Sequence, residues 1–331
     1  MHHLRPVADL VTLADAFQAA LSRAGSSGLA LDTDGALLAD TFGRLTPPGQ
    51  SVGGLMLRLV SELPPECLSV GPEFNRRLEL EYEIRSTRPS SALTYAPGDE
   101  SFRLEPVLAG ETVRRANDLL FGIELFTRDL QVPISELLGL RNLSSLVSAV
   151  VVSALHQVDP ERLMVNPHQD GYPDLLPRTK EFIDYADAVR REGRWSDKAA
   201  WTSPEFGGVE VKATNGGTPA AKKIPKRGIG EERSDIITGF DWKAHHQETD
   251  KLLGCTWDFV DTVPTITALF WRNDLQESDW GGIVKPRVGG GRTTSVSIMN
   301  RNGLSKMAEG WLVRPLDDRL RRALQTGRLW A

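Results

Sequence analysis

The sequence predicts an α/β or α+β fold, a central mixed β-sheet flanked by helices and preceded by a helical N-terminal region. Three observations carry this. Apolar residues recur at helical spacing through much of the first 150 positions. From about residue 160 the texture changes to short β-rich runs bracketed by glycine, interleaved with amphipathic helical stretches. A chain of 331 residues, 40% hydrophobic and 25% charged, can bury a sizeable core as one large or two ordinary domains. The change of texture divides it into residues 1–155, mostly helical and suited to dimerisation or clamping, and residues 156–331.

In chain order, LVTLADAFQAALSRAG and GGLMLRLVSELPPE repeat apolar residues at helical spacing and stop at glycine or a proline pair. RLTPPGQS and RSTRPSSALTYAPGDES are loops, rich in turn formers. PISELLGLRNLSSLVSAVVVSALHQV is a helix or helix pair, apolar on nearly every side in its last part, as in a buried helix. MVNPHQDGYPDLLP is again turn-rich, RTKEFIDYADAVRREG is an amphipathic helix, and GGVEVKAT is a short strand between glycines. LLGCTWDFVDTVPTITALFW predicts two strands around a turn at Asp261–Pro264. GGIVKPRVGGGRTTSVSIMN predicts a hairpin with basic arms, and RPLDDRLRRALQTG a closing helix.

Cys67 and Cys255 have no CxxC or Cys/His spacing, which argues against a disulfide framework or a zinc site and fits a reducing, cytoplasmic setting. The longest greasy run, LVSAVVVSAL, is far shorter than a membrane span, so no membrane partner is expected. The net charge of −5 argues mildly against a polyanion partner. The distribution argues the other way: Lys222, Lys223, Lys226 and Arg227 cluster in AAKKIPKRGIG. Arg287, Arg292 and Arg301 lie between Lys285 and Lys306 with no carboxylate among them.

The chemistry concentrates in GYPDLLPRTK and GGVEVKATNGG, whose Asp174 and Glu210 are 36 positions apart. In a strand, residues two apart share a face, so Glu210 and Lys212 project together while Val209 and Val211 pack behind them. Two carboxylates brought together offer hard oxygen ligands for Mg²⁺. An adjacent ammonium can orient or deprotonate an attacking water and balance the anion that forms. An acid, any residue and a lysine also occur as DWK, Asp241–Lys243, but that segment lacks valine alternation and reads as a turn entering a helix.

Pro173-Asp174 with Glu210-Val211-Lys212 resembles the PD-(D/E)xK nuclease superfamily, the fold of most type II restriction endonucleases. The resemblance covers roughly residues 165–215 closely and the later strands loosely; Arg178–Gly193 is a helix-like insertion where many members have a short hairpin. It implies a restriction-endonuclease-like core in which Asp174 and Glu210 hold Mg²⁺ and Lys212 serves the nucleophilic water. The function implied is a sequence-specific endonuclease, acting as a homodimer on double-stranded DNA and leaving 5′-phosphate and 3′-hydroxyl ends. A structure-selective repair nuclease on the same fold and a non-catalytic DNA-binding protein are the alternatives.

Other residues stand near this motif. Asp170, in the same turn, and Glu181, on the following helix, are alternative carboxylates for the metal. His168 and His245 are candidate bases or phosphate contacts; adjacent helical residues diverge, so only one of His245 and His246 can serve. Lys222, Lys223, Lys226 and Arg227, in the loop after the EVK strand, are placed for phosphate contacts. Arg287, Arg292, Asn300 and Arg301 have the guanidinium and amide groups that read base edges in the major groove.

Overall fold

The structure, a computed structural model, describes residues 80–85, 104–129, 132–202, 206–219, 227–244, 251–285 and 296–330. The chain runs β1 (Tyr82–Ile84), α1 (Pro106–Asp129), α2 (Ile134–Leu137), α3 (Leu140–Val158), β2 (Leu163–Val165), β3 (Leu175–Pro177), α4 (Lys180–Arg191), β4 (Glu210–Thr214) and β5 (Lys243–Ala244). It continues through β6 (Leu252–Val260), β7 (Val263–Arg272), β8 (Ser297–Ile298), α5 (Arg301–Glu309), β9 (Trp311–Pro315) and α6 (Asp318–Thr326). Among the described residues no helix is long and apolar enough to cross a membrane.

The centre is a mixed five-stranded sheet in the order β1-β9-β7-β6-β4. β4 runs parallel to β6, whereas the other neighbours are antiparallel. The β6–β7 hairpin turns on Asp261 and Thr262, both at positive φ, the handedness that matches strand twist in a two-residue loop. Every residue of β6 and β7 is buried, as expected of central strands covered on both faces.

One face is covered by α1 and α3. Leu253, Cys255, Trp257 and Phe259 of β6, with Ile266 and Leu269 of β7, share a single apolar cluster with Val113, Leu120, Val147 and Val151. This core is continuous across residue 155, so helices on the N-terminal side of the expected boundary pack directly on strands beyond it. On the other face Leu252, Ala268 and Phe270 pack with Phe240, Trp242, Met299, Met307 and Leu324. Gly254 lets that second layer close, because a Cβ there would lie 2.7 Å from Met307 Cε and 2.8 Å from Trp242 Cε2. A satellite of Phe182, Tyr185, Trp195, Trp201 and Phe206 seats α4 beside the main core.

The helix pair α2–α3, the helix α4, the strand β4 and the β6–β7 hairpin stand where the sequence predicts them. Three segments differ. Arg314 and Pro315, expected to open the closing helix, end β9, and Asp317 caps α6 through Arg319 N and Leu320 N. Val284–Val296 and Trp280–Met299 bridges join the two ends of the segment expected as a hairpin, whose residues 286–295 lie outside the described residues, and Arg301, just beyond it, begins α5. Lys243 of the DWK segment lies in β5, paired with Ile298. The first two helices expected, and the loop RLTPPGQS, lie outside the described residues.

Candidate metal centre

Asp174 meets Glu210 because β3 and the start of β4 form one short antiparallel ladder. Leu175 N donates to Val209 O at 3.0 Å and Val209 N returns to Leu175 O at 2.9 Å. In that register Asp174 faces Glu210 directly. The next exchange would join Pro173 to Val211, but proline has no N–H and the ladder stops. The groups left over are satisfied locally: Asp174 Oδ2 accepts Val211 N at 2.8 Å, and Asn166 Nδ2 donates to Pro173 O at 2.9 Å. Gly208 permits the approach; at φ +133° a Cβ would lie 2.3 Å from Leu175 O and 2.4 Å from Pro173 Cγ.

Val209 and Val211 are fully buried against the helical layer, which turns Glu210 and Lys212 to the opposite face. Lys212 Nζ lies 3.8 Å from Asp174 Oδ2 and is paired more tightly with Glu210 Oε1. Glu210 is 6% exposed, and its Oε2 has no hydrogen-bond partner among the described residues. Burial, reinforced by the Asp174 charge and only partly offset by Lys212, raises the Glu210 pKa to about 7. Burial works against the Lys212 ammonium, but the Glu210 and Asp174 carboxylates outweigh it and hold its pKa above the usual lysine value.

The donor set fits a hard cation. An orphaned, buried carboxylate oxygen on Glu210 beside the half-exposed Asp174 provides two anionic ligands facing a lysine, and Mg²⁺ commonly takes one or two carboxylates and fills its shell with water and phosphate oxygens. Among the described residues no group of three or more His, Cys, Asp and Glu side chains comes together. Asp170, Glu181 and His168 therefore do not join the pair. Asp170 and Glu181 are exposed, and His168 Nδ1 accepts the Asp170 backbone N–H at 3.1 Å.

The remaining candidates divide. Lys222, Lys223, Lys226, His245, Arg287 and Arg292 lie outside the described residues. Arg227 pairs with Asp235 and lines a cavity of about 540 Å³ with Arg319 and Arg322. Asn300 is occupied as the cap of α5: its Oδ1 accepts Asn302 N at 2.9 Å and Gly303 N at 3.2 Å, while its amide donates to Ser278 O at 2.7 Å. Arg301 is exposed on the first turn of that helix.

Sequence reasoning missed Asn166. This buried amide bonds Pro173 O and Trp201 O, both at 2.9 Å, and accepts His168 N at 2.9 Å, so it fixes the turn that carries Asp174. The signal was present in Asn166-Pro167-His168, where an asparagine accepting the N–H two residues on is a standard turn device. Comparison with protein families, with curated proteins and with solved structures finds no match to this chain.

Proposed function

We propose that this chain is a Mg²⁺-dependent DNA endonuclease of the type II restriction kind, hydrolysing duplex DNA to 5′-phosphate and 3′-hydroxyl ends. The observation that carries the reading is the convergence of Asp174, Glu210 and Lys212, with a buried Glu210 oxygen left without a partner among the described residues. Bound there, Mg²⁺ would lower the pKa of a coordinated water and offset charge on the scissile phosphate.

The protein groups would divide the work by their surroundings. Asp174, anchored through Val211 N, would be the fixed ligand, because that bond ties its carboxylate to the strand that carries Glu210. Glu210 would help hold the metal through the oxygen that has no partner among the described residues, and Lys212, paired with its other oxygen, would orient the attacking water and balance the pentacovalent anion. Lys212 stays protonated in the resting site, so it acts first as an electrostatic and hydrogen-bonding group. One such centre cuts one strand; a two-fold dimer would present two centres to antiparallel strands, as symmetry requires for a double-strand cut.

The test is incubation of the full chain with mixed plasmid DNA and Mg²⁺ beside Asp174→Ala and Lys212→Ala. Discrete fragments from the wild type and at least a hundredfold loss in both variants are expected. DNA binding without cleavage in any divalent metal would sink the nuclease reading.

A further inference from the structure

Elsewhere on the same sheet, five side chains stack alternately. Arg314 is sandwiched between Trp311 and Trp330, its guanidinium carbon 4.0 Å from each ring centroid. Arg85 covers Trp311 at 5.4 Å and Arg321 covers Trp330 at 4.8 Å. Three cations and two indoles thus alternate as Arg85, Trp311, Arg314, Trp330, Arg321. A guanidinium lying flat on an indole is held in place through its face and keeps its N–H donors at the edge, the geometry that meets phosphate oxygens.

The charge of this stack is poorly compensated. Among the described residues Glu83 is the one carboxylate paired to it, through Arg314 Nε at 2.7 Å. Arg85 donates to the backbone carbonyls of Glu309 and Trp311. Arg321 is exposed on α6 with no carboxylate at ion-pair distance among the described residues. Burial chiefly, with the like charges of Arg314 and Arg272 adding to it, lowers the Arg85 pKa.

Strand register ties the stack to the acidic pair. Lys212 pairs with Gly254, Gly254 with Phe270 and Phe270 with Trp311, so Lys212 and Trp311 lie on one transverse row of the sheet. Three inter-strand steps separate them, about 14 Å. Both belong to the end of the sheet where Glu210 stands level with Leu252 and Arg272.

We propose that the Arg85–Trp311–Arg314–Trp330–Arg321 stack is a docking surface for the phosphate backbone of DNA, placed to hold the duplex beside the acidic pair. The proposal rests on reading that pair as a nuclease site, and its test is a binding measurement independent of cleavage. The full chain is titrated against a fluorescently labelled mixed-sequence duplex in Ca²⁺, over a series of salt concentrations, as wild type, Arg321→Gln and Arg321→Lys. Arg321→Gln is expected to weaken binding about three- to tenfold and to lower the slope of log K against log salt by about 1, with unchanged Tm. Arg321→Lys, which keeps the charge but not the planar face over Trp330, is expected to keep the salt slope and to recover the affinity only in part. Equal affinity and slope for wild type and Arg321→Gln, no duplex binding by the wild type, or binding of anionic vesicles with duplex binding unaffected by the variant would overturn the proposal. Should no DNA be cut while Arg321-dependent binding persists, the catalytic reading falls and the surface stands; cleavage with Arg321→Gln indistinguishable in binding gives the reverse.

Discussion

Glu210 is held in conflict with its surroundings. Its carboxyl is buried, one oxygen has no partner among the described residues, and Asp174 stands opposite with a second negative charge. Natural proteins retain such destabilised groups where chemistry needs them. The conflict can be relieved by an uncharged isostere. With a folded-state pKa raised to about 7 against an ordinary 4.5, the native state holds the extra proton, so stability falls as pH rises between those values and the full cost is present above 7. Glu210→Gln is therefore expected to raise Tm at pH 8 by an amount corresponding to roughly 1–3 kcal/mol, while removing Mg²⁺-dependent cleavage. At pH 5, where the wild-type carboxyl is mostly protonated, the Tm difference should largely vanish; a difference that persists at pH 5 would show that burial of the charge is not its source. Asn166 represents the opposite case, a buried amide with both ends satisfied.

At the scale of elements, the site depends on a ladder that proline ends after one exchange and on a glycine that lets two backbones touch. Gly208→Ala places a methyl against Leu175 O and Pro173 in a backbone region that L-residues avoid. A loss of about 2 kcal/mol or more is expected, with cleavage falling further than stability because Asp174 moves away from Glu210; denaturant unfolding and the plasmid assay on the same preparation separate the two. Legibility follows the same physics. The EVK strand was readable because Val209, Glu210, Val211 and Lys212 alternate with period two, and the β6–β7 hairpin because apolar runs flank a polar turn. The pairing of Asp174 with Glu210 is a non-local register, set by where Pro173 interrupts a ladder. The sequence supplied the residues and their spacing, but no local pattern states that Leu175 pairs with Val209. β9 was missed because Trp311–Pro315 is short, sits between two helices and contains Arg314. α5 was missed because Asn300 and Gly303 look like turn residues, whereas here they are its cap and first turn.

Across the whole molecule, two layers on one sheet mean that charge buried between them acts on global stability. Asp258, 1% exposed on β6, accepts Arg233 N through both oxygens and Phe259 N through Oδ1. Burial nevertheless raises its pKa to about 6, with Glu232 adding to the rise and those N–H groups and Arg233 opposing it. The folded state again binds the extra proton, so stability declines as pH climbs from about 4 to 6 and is level in this respect above it. Asp258→Asn should flatten that part of the unfolding free energy against pH by an amount on the order of 3 kcal/mol, measured by denaturant titration from pH 4 to 7. Unchanged slope would assign the decline to other groups. Finally, β9 joins β7 to β1, so Tyr82–Ile84 must find partners more than 200 residues later at Val313–Pro315. On a ribosome adding roughly 5–20 residues per second, the edge of β7 waits several seconds for its neighbour, and β1 waits longer still. The Asp174–Glu210 pair emerges well before the strand that bears Trp311 and Arg314. A nascent chain would thus hold its acidic pair before its arginine stack, and an exposed apolar strand edge in the interval is where chaperones would be expected to bind.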